Sequence, residues 1–476
     1  MAVDEPKAVE PEPDEEDEWQ LYASAGYAST GFILEETETV EDKQPDDVWF
    51  DGDGDDFEGN TVNWDAPPCP APLGIAHLIK IGVCDFCLHR IGGRRSDERG
   101  AEAGAVLRRE AYVRDEELPS KVPQDFCPLC ENLFDDINNI VERVSESLSG
   151  TDYSTIQFGI HLPKDLIQEE DRIRSRYGAP GSYPLKSALV EAIHHRIRAV
   201  NDRVDFVKER PDIMVLVDGL TLRVDVDVRP LFLYGRYRKL VRDLPQTRWP
   251  CRACRGRAEG CESCGGTGLQ YPDSVQDLIG EPIREVLDAD DTSFHGMGRE
   301  DIDVRCLGSG RPFVLEIKRP SKRNHSLDDL VVRVNENASG KVELDSLSWC
   351  DRSKVHKVKQ SRSEKTYTIR FRADDLADEE TVISAISSLS GVVIDQETPK
   401  RVSHRRAAKI RRRRVVSVSS ILVEGDEVQF SARCEAGTYV KELVHSDEGR
   451  TVPSVQSAID RECEVLWLDV EEIHAD

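Results

Sequence analysis

Eight of the thirteen cysteines stand in CxxC pairs, a spacing that lets one tight turn offer two thiolates to a single ion. Cys84, Cys87, Cys127 and Cys130 form two such knuckles about forty residues apart. Together they supply the four ligands of a closed tetrahedral site, for which zinc is the natural tenant. A redox dithiol needs one CxxC at a helix start, so paired knuckles argue for a structural site. In CRACRGRAEGCESCGGTG, Cys251, Cys254, Cys261 and Cys264 are interleaved with glycines that permit tight turns. Such a loop cannot bury a core of its own, and a metal would be what orders it. The competing reading of this second cluster is a flexible glycine-rich insertion. Cys69, Cys306, Cys350, Cys434 and Cys463 have no neighbouring His to make a nucleophile and read as single thiols.

Asp301 and Asp303, in GREDIDVR, read from spacing alone as ordinary loop carboxylates. The longer run GREDIDVRCLGSGRPFVLEI, 298–317, resembles the motif around the nucleophilic aspartate of the archaeal and eukaryotic tRNA pseudouridine synthases that act on T-loop uridines 54 and 55. In that family the aspartate after Arg-Glu is catalytic, which falls on Asp301. EKTYTIRF is similar to the strand bearing the active-site tyrosine of the wider superfamily, and so puts it at Tyr367. CEAGTYVKEL resembles the GTYIR motif of the bacterial T-loop synthases, which gives a second substrate-contacting tyrosine at Tyr439 and a basic partner at Lys441. Those relatives carry Arg where Lys441 stands. An ammonium cannot make the planar two-pronged contact of a guanidinium, so the local geometry is expected to differ.

The implied reaction breaks the N1–C1′ bond of uridine, rotates the uracil and rejoins it through C5, without net redox change and without a catalytic cofactor. An ionised carboxylate beside C1′ can attack as nucleophile or remove a sugar proton. It must stay charged in a largely dry pocket, where Lys441 would hold it. Tyr367 can stack on the flipped base and lie near C5, and Tyr439 can form the other wall.

Basic residues that could meet RNA concentrate in RVSHRRAAKIRRRR, with Arg401, Arg405, Arg406 and Arg411 to Arg414, while Arg311 in SGRPF is a further substrate contact. A second cluster, GRYRKLVRDLPQTRW, holds Arg236, Arg238, Lys239, Arg242 and Arg248 beside Tyr234 and Tyr237. It reads either as a salt-bridged face or as a phosphate-contacting one.

The elements that must position these groups point to an α/β (α+β) protein. Apolar residues at helical spacing run from Leu185 toward Val207. IMVLV and LTLRVDVDV flank a hairpin signal at Asp218-Gly219,. FVLEI, TYTIRF, VVSVSSILV, VQFSARC and VLWLDV read as strands. Helices are expected over 274–288, with a break near Gly280 and Pro282, over 378–388 and over 439–445,. The length fits two or three domains. Residues 1–66 form an acidic extension, largely disordered, in which DGDGDD lacks the closing glutamate of a calcium loop. Residues 67–247 form an α/β module resembling the zinc-bearing, THUMP-related RNA-binding domain of this synthase family. Residues 248–476 form the mixed-sheet catalytic domain, with a cysteine-rich insertion at 249–271 that not all relatives share.

Composition pulls the other way. A formal charge of -28 disfavours a nucleic-acid partner, but acidic residues spread through the chain also suit a protein solvated for molar salt. At about 1 M salt the screening length is roughly 3 Å, so the acidic surface hardly repels an approaching phosphate backbone. A halophilic cytoplasm is therefore expected, with no signal peptide and no membrane span, tRNA bound through its T-arm, no nucleotide cofactor and a monomeric chain. A THUMP-type methyltransferase or thiolation enzyme would need a glycine-rich strand-to-helix turn, whereas the glycines here cluster between cysteines. The non-enzymatic alternative is a zinc-bearing RNA scaffold on the same fold.

Overall fold

The computed structural model describes residues 72–92, 100–122, 126–179, 181–403 and 407–475. The acidic extension assigned to residues 1–66 lies outside them, as do Arg405 and Arg406. The chain divides into two compact units between Arg229 and Pro230.

The first unit runs through α1 (Pro72–Lys80), α2 (Asp85–Gly92), α3 (Ala101–Arg114), α4 (Ile137–Ser147), β1 (Thr155–His161), α5 (Lys164–Tyr177), α6 (Leu185–Val200), β2 (Asp205–Phe206), β3 (Ile213–Asp218) and β4 (Val224–Val228). Its sheet has the order β2-β1-β3-β4, parallel except for the β3–β4 pair. Leu185, Leu189, Ile193 and Ile197 recur every fourth residue on α6 and are all buried, the stripe by which an amphipathic helix docks. That helix stops at Val200, where Asn201 turns extended, short of the expected Val207. The hairpin forms where Asp218-Gly219 signals it. Asp218 Oδ1 accepts from the Thr221 amide at 2.8 Å and hydroxyl at 2.7 Å, a side-chain turn of the kind aspartate favours.

The second unit comprises β5 (Leu231–Lys239), α7 (Val275–Val286), β6 (Asp291–Gly296), β7 (Arg305–Lys318), α8 (Leu327–Ala338), β8 (Val342–Cys350), α9 (Ser353–Gln360), β9 (Lys365–Arg372), α10 (Glu379–Ser387), β10 (Val393–Glu397), β11 (Ile410–Glu424), β12 (Glu427–Cys434), α11 (Val440–His445), β13 (Thr451–Val452), α12 (Val455–Ile459) and β14 (Glu464–Ile473). Ten strands form one mixed sheet in the order β13-β10-β11-β12-β9-β14-β7-β5-β8, with β6 also paired to β7. β7 is covered on both faces. Phe313, Leu315 and Ile317 join one core with Ile279 of α7 and Leu330 of α8, and Val314 joins the other with Ile369 and Phe430. This two-sided burial explains the mostly apolar run FVLEI, in which Glu316 alone is charged and is met by His295 at 3.1 Å,.

Two expectations need correction. The boundary at 247/248 falls too late, because β5 pairs with β7 and β8 inside the large sheet. The expected break near Gly280 and Pro282 is absent, and α7 is continuous with Pro282 inside it. Proline has no N–H to give the carbonyl four residues earlier, but Asn337 Nδ2 donates to that carbonyl, Leu278 O, at 3.1 Å. Gly280 is fixed by contact, since a Cβ there would lie 2.6 Å from Thr292 Oγ1.

Candidate active site and cysteine clusters

Asp301 sits on the loop between β6 and β7, held from below by buried polar groups. Lys239, fully buried at the end of β5, donates from Nζ to the carbonyls of Leu244 at 2.9 Å, Ile302 at 3.1 Å and Asp301 itself at 3.2 Å. Burial lowers the Lys239 pKa, while the nearby Glu300 and Asp303 carboxylates oppose the shift. Beside it, buried Glu300 accepts from the Tyr237 hydroxyl at 2.9 Å and pairs with Arg311 Nε at 2.8 Å. Gln246 Nε2 donates to Tyr237 and to the Gly298 carbonyl, and Arg311 donates to the Met297 carbonyl at 2.7 Å. Buried polar groups are tolerable only when partnered, and here hydrogen bonds and the Glu300–Arg311 ion pair together hold the network,. Arg311 is 1% exposed. Its expected contact with RNA is therefore corrected to a position under the loop, where pairing with Glu300 overrides desolvation and raises its pKa.

Above the loop, Asp301 faces two cations. Arg401 Nη1 lies 3.0 Å from Asp301 Oδ2 and Lys441 Nζ lies 3.5 Å from it. Lys441 is engaged more closely by Asp303, at 2.9 and 2.8 Å to its two oxygens. Burial by itself would raise the Asp303 carboxyl, and Lys441 and Arg401 more than offset it, leaving its pKa below the ordinary aspartate value. Arg401 is oriented in turn by buried Glu442, 2.7 Å from its Nε. The Lys441 ammonium bridges two carboxylates, and the guanidinium beside Asp301 comes from Arg401, a residue assigned from sequence to RNA contact.

Tyr367 lies on β9, opposite Ala432 of β12 and Val470 of β14. Burial, with Cys434 and Asp301 among its neighbours, raises the pKa of its phenol, which stays protonated at neutral pH. Tyr439 caps the start of α11. Buried Gln396 holds it at both backbone groups, accepting from its amide and donating to its carbonyl at 2.9 Å each, and the Arg411 guanidinium lies 5.8 Å from its ring centroid. Arg412 pairs with Asp395 at 3.2 Å, and Arg413 donates to the Arg412 carbonyl.

The other basic cluster is largely spent on the fold. Arg236 donates to the carbonyls of Ser309 and Ile473, Arg238 pairs with Glu343 and Asp345, Arg242 with Asp469 and Arg248 with Asp277 and Glu281. Sequence reading missed the roles of Lys239, Glu300, Gln246 and Glu442. Nothing in the sequence marks them, since Lys239 stands beside Arg236 and Arg238 in a strand of mixed character.

Both cysteine groups assemble, each with four sulfurs within 4.8 Å of one another and able to hold a metal ion. Cys84 and Cys130 Sγ are 3.6 Å apart, Cys254 and Cys264 Sγ 3.8 Å. A tetrahedron of metal–thiolate bonds of about 2.3 Å has edges of roughly 3.8 Å. In the first group Cys87, Cys127 and Cys130 belong to the hydrophobic core. Buried Arg108 donates to the Val83 carbonyl at 2.7 Å and pairs with Asp85, and Arg90 donates to the Leu129 carbonyl and to Cys87 Sγ. The second group hangs from a stem closed by the Pro250–Leu269 bridge and a Cys251 N–H donating to Gly268 O at 2.7 Å. Gly268 is needed there, since its φ is +74° and a Cβ would lie 2.9 Å from Gly256 O. At the base of the stem Trp249 sits under the Arg299 guanidinium, 5.4 Å from its centroid, which ties the insertion to the loop of Asp301.

A family model described as Pus10, C-terminal, matches residues 232–474, and one described as Pus10 THUMP domain, archaeal, matches residues 140–218. The tRNA pseudouridine synthase Pus10 of Methanothrix thermoacetophila is 37% identical over 423 residues, covering 83% of this chain and 92% of its own. Its namesake from Halorubrum lacusprofundi is 35% identical over 396 residues, covering 82% and 92%. A chain of a solved Cbf5-Nop10-Gar1 complex aligns over 50% of this chain and 58% of its own at TM-score 0.26 and 14% identity, too slight a likeness to carry weight. The mixed sheet, its acidic loop and these relatives together define the class, a pseudouridine synthase, which is an isomerase. More particularly, the chain belongs to the Pus10 family, with a THUMP domain in its first unit.

Proposed function

We propose that this enzyme isomerises uridines 54 and 55 in the T-loop of tRNA, with Asp301 as the catalytic nucleophile. The observation that carries the reading is the placement of Asp301 on a loop pinned by Lys239, its carboxylate facing Arg401 and Lys441. Two cations fix the orientation of the carboxylate at the place a flipped uridine would enter. Attack by Asp301 on C1′ forms an ester and breaks the N1–C1′ bond, the pair of electrons staying on N1 of the uracil. The base rotates, C5 attacks C1′ and expels the Asp301 carboxylate, the C5 proton passes to water and N1 takes one up. Tyr367, a neutral phenol, serves as a stacking floor and hydrogen-bond donor, and Tyr439 as the facing wall. Arg405, Arg406 and Arg411 to Arg414 contact the phosphate backbone of the T-arm. The enzyme acts as a monomer in the cytoplasm.

Zinc is the ion that four thiolates at these separations favour. Cys84, Cys87, Cys127 and Cys130 would hold one ion, and Cys251, Cys254, Cys261 and Cys264 a second. Both would be structural, tying chain segments together within their own units.

The test is to incubate unmodified tRNA transcript with wild type and Asp301→Asn in high KCl and map pseudouridine at single-nucleotide resolution. Wild type should convert uridines 54 and 55, and Asp301→Asn should convert neither while still binding tRNA. Equal T-arm signals from both proteins would remove Asp301 from catalysis.

A further inference from the structure

Besides the two basic clusters already described, a third concentration of positive charge lies in RSKVHKVKQSR, 352–362, which contains no acidic residue in a chain of net charge -28. It folds as α9 and its flanks. Val358 is buried in the core, while Lys357 and Arg362 are exposed. The helix forms one wall of a cavity of about 540 Å³, also lined by Tyr234, Lys354, Arg433 and His474. The acidic side chain in that lining, Glu364, is already engaged by Arg433 at 2.6 Å. Lys354 and Lys357 have no carboxylate within ion-pair distance among the described residues. Lys354 Nζ instead lies 4.4 Å from the Tyr234 ring centroid.

The cavity belongs to the same face of the sheet as the catalytic tyrosine, because Tyr234 and Tyr367 pack against one core. It also abuts the catalytic loop. Met297, four residues before Asp301, lines it and receives a contact from Ser363 Oγ at 3.6 Å. A trough with several cations along its wall and an aromatic ring in its floor suits a single nucleic-acid strand, whose phosphates take the cations while a base stacks on the ring. A compact anion would use the charges and leave the ring idle.

From this we infer that the trough between α9 and Tyr234 binds the phosphodiester backbone of the RNA strand adjoining the flipped uridine, with Lys354 and Lys357 as phosphate contacts and Tyr234 as a stacking platform whose face Lys354, now over the ring, vacates on taking a phosphate. The inference rests on the reading that tRNA is the substrate, and binding can be measured separately from turnover.

Fluorescence anisotropy with labelled unmodified tRNA should be run across a KCl series for wild type, the double variant Lys354→Glu/Lys357→Glu and the milder Lys354→Gln/Lys357→Gln. Lys322→Glu, a charge reversal outside the trough, controls for net charge, and melting curves confirm folding. The Glu double variant should bind at least tenfold more weakly at low salt. Each lost phosphate contact should also take about 0.7 from the slope of log affinity against log salt, and the Gln pair should show the same slope change. Wild-type affinity and slope in the Gln pair would overturn the proposal, as would an equal loss in Lys322→Glu. If the variants lose tripolyphosphate binding but keep tRNA affinity, the trough is a small-anion site and the proposal fails. Trough-dependent tRNA binding by a wild-type protein that converts no T-loop uridine would instead sink the functional reading and leave the trough standing.

Discussion

Lys239 shows how far a side chain's role depends on what surrounds it. In the sequence it is one basic residue of GRYRKLVR, and periodicity cannot tell a surface lysine from a buried one. In the fold it sits at the end of a core strand and neutralises three inward-turned carbonyls, one of them that of Asp301. Lys239→Met keeps the volume and strands those carbonyls. It should cost about 3 kcal/mol of stability and, by letting the loop shift, lower the conversion rate at saturating tRNA on the order of 10²-fold. Comparing single-turnover rates with tRNA affinity checks this. A variant that is destabilised yet turns over normally would reduce Lys239 to a purely structural residue. Asp301, Tyr367 and Lys441 were legible because short motifs carry them. Arg401 was legible only as a charge, because its partner Glu442 is 41 positions away.

At the scale of elements, alternation and helical spacing located β3, α6, β9, β12 and β14. What escaped was decided by tertiary contact, namely the continuity of α7 through Pro282 and the sheet membership of β5. The two cysteine groups differ in the same respect. The first is built into the core of its unit, and the second hangs from a two-stranded stem. Cys127→Ser should therefore unfold the first unit, since metal binding at such a site is folding free energy, whereas Cys261→Ser should leave the large sheet intact. Elemental analysis should give about two zinc ions per chain for wild type and about one for either variant, with circular dichroism separating their folds. His194 on α6 adds a pH dependence. It stacks on Phe206 at 3.6 Å, and its buried Nε2 has no hydrogen-bond partner among the described residues. Burial, helped by Arg198, pushes its pKa down to about 4, against about 6.5 in the unfolded chain. Between those values the unfolded chain binds a proton that the folded one refuses. The stability contribution is thus complete above about pH 6.5 and is lost as the pH falls toward 4. Urea titrations at pH 7 and pH 5 should show a smaller loss for His194→Phe than for wild type, and equal losses would exclude His194 as the source.

For the molecule as a whole, the net charge of -28 has to coexist with a polyanionic substrate, and the distribution of charge shows how. Much of the arginine in the second unit is paired with carboxylates, as at Arg238, Arg370 and Arg372. Lys354 and Lys357 of α9 have no carboxylate within ion-pair distance among the described residues. Composition averages over this arrangement, so it argued against RNA although the folded surface does not. The excess acid elsewhere should still oppose compaction through self-repulsion. Raising KCl from 0.1 to 1 M shortens the screening length from about 10 Å to about 3 Å, which should relieve the repulsion and raise the melting temperature over that range. Contacts between cations and phosphates weaken over the same range as counterions compete. Stability should therefore climb with salt while tRNA affinity falls, and conversion at limiting tRNA should pass through a maximum at intermediate KCl. Melting curves and single-turnover rates on one salt series test both limbs. A melting temperature that is flat or falling with KCl would show that the acidic surface is not a source of strain, and with it would go the expectation that the chain is adapted to molar salt.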